Sequence, residues 1–315
     1  MRAREDGQKL TSLLPAAAAA VTGRLPLAVA ETVGVGAGVL FWTLSKRYRR
    51  QTLENLRHSF PERPDSSRAA LARHALTHAG REVGATMRWF VRGREGLPGV
   101  CSNYADLAAT IERDRAAGRG AIYAGAHLGN PQLLSALCAT VAPVTGVGIS
   151  YHTRPHLRFV AEGRRRLGLH YVPDSTPPLD VLRALQRNEL VTFLPDMQPH
   201  RNAGLWLPFL GRPACTTTFP ASLARLTGAV LRPIFLVRDG RRYRAVIRDP
   251  IATPRLAAND ADLERAMREW SAVVEEEVRR RPEQWIWMSR RWRPVPEGAR
   301  ILAAGAAGTP PGPAA

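Results

Sequence analysis

Between residues 121 and 247 short apolar runs alternate with stretches of helical character, and this rhythm restricts the fold more than any other feature. Residues 121–124, 144–149, 169–172, 190–194, 230–237 and 243–247 read as strands. Residues 131–138, 156–167, 179–185 and 222–226 read as helices between them, and 260–280 as a long closing helix. Strands alternating with helices imply an α/β fold with a central sheet flanked by helices. In such sheets the functional site gathers at the carboxyl ends of the strands. His127 and Asp196 each stand just after a predicted strand.

The flanks divide the chain further. Residues 25–44 hold twenty residues with one charge, Glu31, followed at once by Lys46, Arg47, Arg49 and Arg50. Such a run is long enough to span a bilayer, and the basic cluster would then lie on the cytoplasmic side. A buried hydrophobic helix reads equally well, because Glu31 near mid-span and Gly34, Gly36 and Gly38 weaken a lone spanning helix. Residues 46–95 read as helices, with Leu53, Leu56 and Phe60 at helical spacing, Pro61 as a stop, and Ser66 and Ser67 as caps for the next helix. Residues 1–45 are therefore expected to form a hydrophobic membrane-associating segment, 46–300 the main domain, and the low-complexity residues 301–315 a loose tail.

Charge limits the partners. Forty-five basic residues stand against 27 acids, giving a formal net charge of +18, and only Lys9 and Lys46 are lysines. An excess of this size points to an anionic partner: nucleic acid, a phospholipid surface or an acidic protein. Nucleic acid would need a recognisable module, and neither zinc-finger spacing nor an RNP-like aromatic motif occurs. Cys101, Cys138 and Cys215 are too scattered for a zinc site or a disulfide framework. The P-loop, G-x-G-x-x-G, G-x-S-x-G and H-E-x-x-H patterns are also missing, so no metal and no cofactor is expected.

His127 is the candidate general base. A strand, a glycine turn and a helix start would place its imidazole at a sheet edge, where it could deprotonate a hydroxyl for attack on an acyl carbonyl. Backbone N–H groups of the helix start are candidates for an oxyanion site. Asp196 is a carboxylate suited to orienting an arginine or the substrate. Arg164, Arg165 and Arg166 bind substrate phosphate if they point into the same cleft, and otherwise form a solvated helix face.

Five blocks, in order, resemble one family. Residues 55–62 (NLRHSFPE), 125–130 (GAHLGN), 194–198 (LPDMQ) with 206–218 (WLPFLGRPACTTT), 224–229 (ARLTGA) and 282–292 (PEQWIWMSRRW) are similar to the signature segments of the bacterial lipid A late acyltransferases. These lauroyl and myristoyl transferases form a group that includes the actinobacterial phosphatidylinositol mannoside acyltransferases. The resemblance covers about residues 40–295. It implies a glycerolipid-acyltransferase-like α/β fold on the cytoplasmic face of the bacterial inner membrane. It further implies transfer of an acyl chain from acyl carrier protein or acyl-CoA to a hydroxyl of a glycolipid acceptor. Asn130, within the second block, is taken with the three arginines as substrate-binding.

In the family the histidine is followed five positions later by Asp or Glu. Here that position is Gln132, expected to orient the imidazole as a neutral amide; the second acid of the family's D-x-D is Gln198, and the late His is Ser289. Two functions therefore stay open, an O-acyltransferase and a catalytically weakened or silent lipid-binding homologue. An acid such as Glu162 or Asp196 within hydrogen-bond reach of His127 separates them.

Overall fold

The computed structural model describes residues 21–148, 158–173, 178–199, 203–253 and 260–302. The expected central sheet forms. It has six strands: β1 (Ala121–Ala124), β2 (Val144–Gly148), β3 (Leu169–Pro173), β4 (Leu190–Phe193), β7 (Val230–Asp239) and β8 (Arg242–Ile247), in the spatial order β3-β2-β4-β1-β7-β8. All neighbours are parallel except β7 and β8, which form an antiparallel hairpin at one edge. A separate two-stranded hairpin, β5 (Leu205–Phe209) and β6 (Arg212–Thr216), arises from the sequence LWLPFLGRPACT. Its tight connection places Leu210 and Gly211 at positive φ.

Alternate strand residues enter opposite layers, as the pleat requires. Ile122, Ala124, Val191, Phe193, Phe235 and Val237 join one core. Ala121, Tyr123, Leu190, Ile234 and Leu236 join the other. β1 is buried throughout its length, which is why it reads as a continuous apolar run rather than an alternating one.

The N-terminal part of the described chain holds helices α1 (Leu27–Leu44), α2 (Lys46–Ser59) and α3 (Asp65–Arg92). The remaining helices are α4 (Tyr104–Arg115), α5 (Pro131–Cys138), α6 (Arg158–Arg166), α7 (Pro178–Gln186), α8 (Phe219–Thr227) and α9 (Asp260–Arg280). Helix α3 starts one residue before the serines expected to cap it; Pro64 occupies the cap and no side chain bonds there. At the other end of the chain Ile301 and Leu302 pair with Trp206 of β5, and Leu302 is buried. Of residues 301–315, expected as a loose tail, 301 and 302 are thus held against β5, and 303–315 lie outside the described residues.

Helix α1 is apolar and long enough to cross a membrane, yet it lies along α3 with backbone against backbone. A Cβ added at Gly34 would run into the Gly80 carbonyl, and one at Gly84 into the Ala30 carbonyl. These glycines weaken a lone helix but allow a close helix pair. Glu31, the one charge of the segment, points into the domain and meets Arg238 of β7 at 2.9 Å. Val29, Val33, Val39, Leu40, Phe41 and Leu44 of the same helix are exposed.

Replacing Gly34 by Val should force the two helices apart and cost about 1–3 kcal/mol or more in denaturant unfolding. Gly36 has open space around its Cβ position, so Gly36→Ala should be neutral or stabilise by up to about 1 kcal/mol.

Candidate active site

Strand register brings His127 and Asp196 together. β1 and β4 are parallel neighbours with Ala124 opposite Phe193. Each chain then runs three residues past its strand end, to His127 and to Asp196. Gly125 N–H donates to the Phe193 carbonyl at 2.9 Å, so the sheet pattern continues into the loops. The last carbonyl of β1, Ala124, accepts the Trp270 indole N–H of α9 at 3.0 Å.

Asp196 is completely buried. One oxygen lies 2.8 Å from His127 Nδ1. The other accepts the His127 backbone N–H at 2.7 Å and the Trp285 indole N–H at 2.9 Å. A buried carboxylate with three donors is stabilised as the anion. Burial pushes its pKa up, but the His127 charge and the bonds from His127 and Trp285 prevail and hold it below the usual carboxylate range. For His127, burial works against the imidazolium, and the Asp196 charge and hydrogen bond outweigh it, so the imidazole pKa is raised. The carboxylate selects the tautomer with a proton on Nδ1. Nε2 then carries the lone pair, has no hydrogen-bond partner among the described residues, and belongs to a ring whose side chain is 31% exposed.

The other expected site residues are redistributed. Gln132 does not supply the bond that orients His127. Its Oε1 accepts from Arg164 Nε at 2.9 Å, and the Arg164 guanidinium stacks 3.7 Å above the Tyr171 ring. Arg164 therefore joins the first turn of α5, whereas Arg165 and Arg166 do not. They clasp Glu162 on the exposed face of α6, and their hydrogen bonds pull its carboxyl down to about 2. Glu162 is thus committed to these arginines. Asn130, expected to touch substrate, is buried: its Oδ1 caps α5 by accepting from Leu133 N–H, and its amide is given to Glu82 and Thr86.

The N–H groups expected to bind an oxyanion are largely taken. Those of His127, Gly129, Asn130, Leu133 and Leu134 go to Asp196, Gln284, Leu236 and, for the last two, Asn130, and Pro131 has none. Gly129 sits at φ +64° against the Leu236 carbonyl, where no side chain fits.

Trp285 is the site residue that sequence reasoning missed. The block containing it stood out, but nothing in it indicated that its indole would reach a carboxylate 89 positions away. The same segment supports the histidine loop from below: Ile286 N–H donates to the His127 carbonyl and Gln284 accepts from Gly129. Arg291 is buried as well, donating to the Cys215 carbonyl and to Thr216 Oγ1. Burial lowers its pKa to about 10.

Residues 7–294 match the family model described as bacterial lipid A biosynthesis acyltransferase. The chain belongs to that family and is an acyltransferase. It is 27% identical over 283 residues to the lipid A biosynthesis lauroyltransferase of Escherichia coli strain K12, covering 87% of this chain and 89% of that protein. It is 25% identical over 293 residues to the palmitoleoyltransferase of the same strain, covering 89% and 90%. A lipid A biosynthesis acyltransferase of Haemophilus influenzae is 24% identical over 290 residues, 87% of each chain.

Replacing Asp196 by Asn removes the charge that raises the His127 pKa and leaves burial to lower it. The pH–rate midpoint should then move to lower pH. Maximal turnover should fall by as much as about 10⁴, the scale of losing a base-orienting carboxylate. A pH series on parent and variant checks both.

Proposed function

We propose that this acyltransferase moves a fatty acyl chain from acyl carrier protein or acyl-CoA to a hydroxyl of a lipid A-type glycolipid, with His127 as general base. The observation that carries the reading is the His127–Asp196 pair, with Nδ1 held by the carboxylate and Nε2 open. Nε2 takes the proton of the acceptor hydroxyl as its oxygen attacks the thioester carbonyl. The tetrahedral intermediate collapses, the C–S bond breaks, and the thiolate leaves with the proton that His127 returns. Asp196 stays ionised and stabilises the transient imidazolium. It thereby supplies the negative charge that Gln132 lacks, which favours an active enzyme over a silent lipid binder. Arg164, fixed by Gln132 and Tyr171, is the arginine best placed to meet an anionic group of either substrate.

The work takes place at the cytoplasmic face of the inner membrane. Helix α1 suits an in-plane position at the phospholipid surface rather than a crossing, because Glu31 and the glycine face tie it to the domain along its length. Its outer apolar face is bracketed by exposed Arg24 at one end and Lys46, Arg47 and Arg50 at the other, an arrangement that fits hydrocarbon flanked by anionic headgroups. The net charge of +18 would also draw in an acidic acyl carrier protein over long range.

Replacing His127 by Ala should abolish acyl transfer in purified enzyme that remains folded; full turnover in that variant would remove the mechanism. Mass spectrometry of lipids from a deletion strain should show one glycolipid lacking one acyl chain. Vesicle flotation tests the surface. Binding to anionic vesicles should exceed binding to neutral ones by about 1 kcal/mol per engaged basic residue, and should weaken but persist as salt rises. Replacing both Leu40 and Phe41 by Glu should remove the salt-resistant part.

A further inference from the structure

A buried polar chain runs from the histidine loop to helix α1, and the reaction described above does not use it. Its centre is Glu82 of α3. One Glu82 oxygen accepts from Arg238 Nε at 2.6 Å. The other accepts from the Tyr243 hydroxyl at 2.5 Å and from Asn130 Nδ2 at 2.9 Å. Asn130 lies three residues after His127. Its backbone N–H is held by the carbonyl of Leu236, two residues from Arg238 on the same strand. In the other direction Arg238 Nη2 reaches Glu31 of α1 at 2.9 Å and the Tyr243 hydroxyl at 2.6 Å. His78 stands 3.8 Å from Glu82, and burial lowers its pKa. Two carboxylates thus share one guanidinium, and the excess negative charge faces the N-terminus of α5, where the helix dipole favours it.

Stability alone is a poor reason for such a chain. Buried ion pairs are often replaceable by apolar side chains at no loss. Capping α5 needs only the Asn130 oxygen; it does not require that the amide nitrogen be tied to a buried carboxylate. That second tie restrains the loop at its far end, while Asp196 restrains it at His127. Misplacement by about 1 Å at a reacting centre can cost 10²-fold, so the second restraint bears on turnover.

We propose that Glu82 is a positioning residue for acyl transfer: through Asn130 it fixes the loop that carries His127, and through Arg238 and Glu31 it makes that loop answer to the seating of helix α1. The proposal rests on His127 being the base. It links the element that faces the membrane to the element that does the chemistry, so that the base is held in register when α1 is docked.

The test measures kcat, KM and the pH–rate midpoint of the full-length enzyme, because the midpoint reports the His127–Asp196 contact. Among the described residues, the charged and titratable groups around that loop include Asp196 and Arg291 on one side and Glu82, Arg238, Tyr243, His78, Glu31, Glu283 and Arg81 on the other, so the variants conserve charge. Asn130→Ser keeps a capping oxygen but is too short to reach Glu82. It should lower kcat at least about ten-fold, change KM little, and move the midpoint to lower pH as the loop relaxes from Asp196. The exchange Asn130→Asp with Glu82→Gln reverses donor and acceptor at the same net charge. It should restore most of the lost turnover and the parent midpoint. Glu31→Asp keeps the charge but withdraws it from Arg238, and should act in the same direction as Asn130→Ser, less strongly. A purely structural chain would lower thermal stability and active fraction and leave the midpoint in place in all three; that result overturns the proposal. An exchange variant no better than Asn130→Ser overturns it too, and a Glu31→Asp enzyme with parent kcat and midpoint overturns the link to α1. His127→Ala in the same assay keeps the readings apart: an active alanine variant removes the base itself, whereas an inactive one with unmoved midpoints removes only the positioning role.

Discussion

A carboxylate with no access to water must find donors for both oxygens or give up its charge. Asp196 finds three, from the His127 main chain, the His127 ring and the Trp285 indole. These bonds draw together the ends of two parallel strands and the segment that follows the last long helix. The orientation of the imidazole, the tautomer it adopts and the opening of Nε2 toward solvent all depend on this one buried charge. The surrounding construction serves it: Trp270 closes the end of β1, Gln284 and Ile286 hold the loop from below, and Gly129 lets the main chain press against β7.

A second buried charge system lies on the far side of the same loop. Glu82, Arg238 and Tyr243 join α3 to the β7–β8 edge, and Glu31 brings α1 into the same network. Helix α1 is therefore held by two unlike forces. Its glycine face packs on α3 through backbone contact, and its single acid is matched by an arginine of the sheet. The helix leaves Val29, Val33, Leu40 and Leu44 exposed, with basic residues beyond both of its ends. Helix α1 and the histidine loop are thus joined through side chains as well as through the main chain.

The α/β class and the strand order of residues along the chain were legible because buried strands read as short apolar runs between helices, and 121–124 and 190–193 are clear examples. The position of His127 at a strand end was legible for the same reason. Its partner was not. Residue 132 is five positions away along the chain and invites pairing, yet α5 carries its side chain to Arg164. Residue 196 is 69 positions away and meets the histidine because β1 and β4 are neighbours in register. Asn130 and the three arginines were ambiguous for a related reason. A polar residue in a motif caps a helix, ties two elements together or faces water according to which elements surround it, and Asn130, Arg164 and Arg165 exemplify one outcome each.

The sequence by itself determined the periodicities, the apolar runs, the charge excess and the blocks that mark the family, because these are properties of local order along the chain. Tertiary structure alone decided which acid orients His127, that Glu31 is answered by Arg238, and that Gly34 and Gly38 of α1 serve a helix contact. Hydrogen bonds and ion pairs depend on distances in space, and those distances are set by strand order and helix packing that no spacing along the chain records.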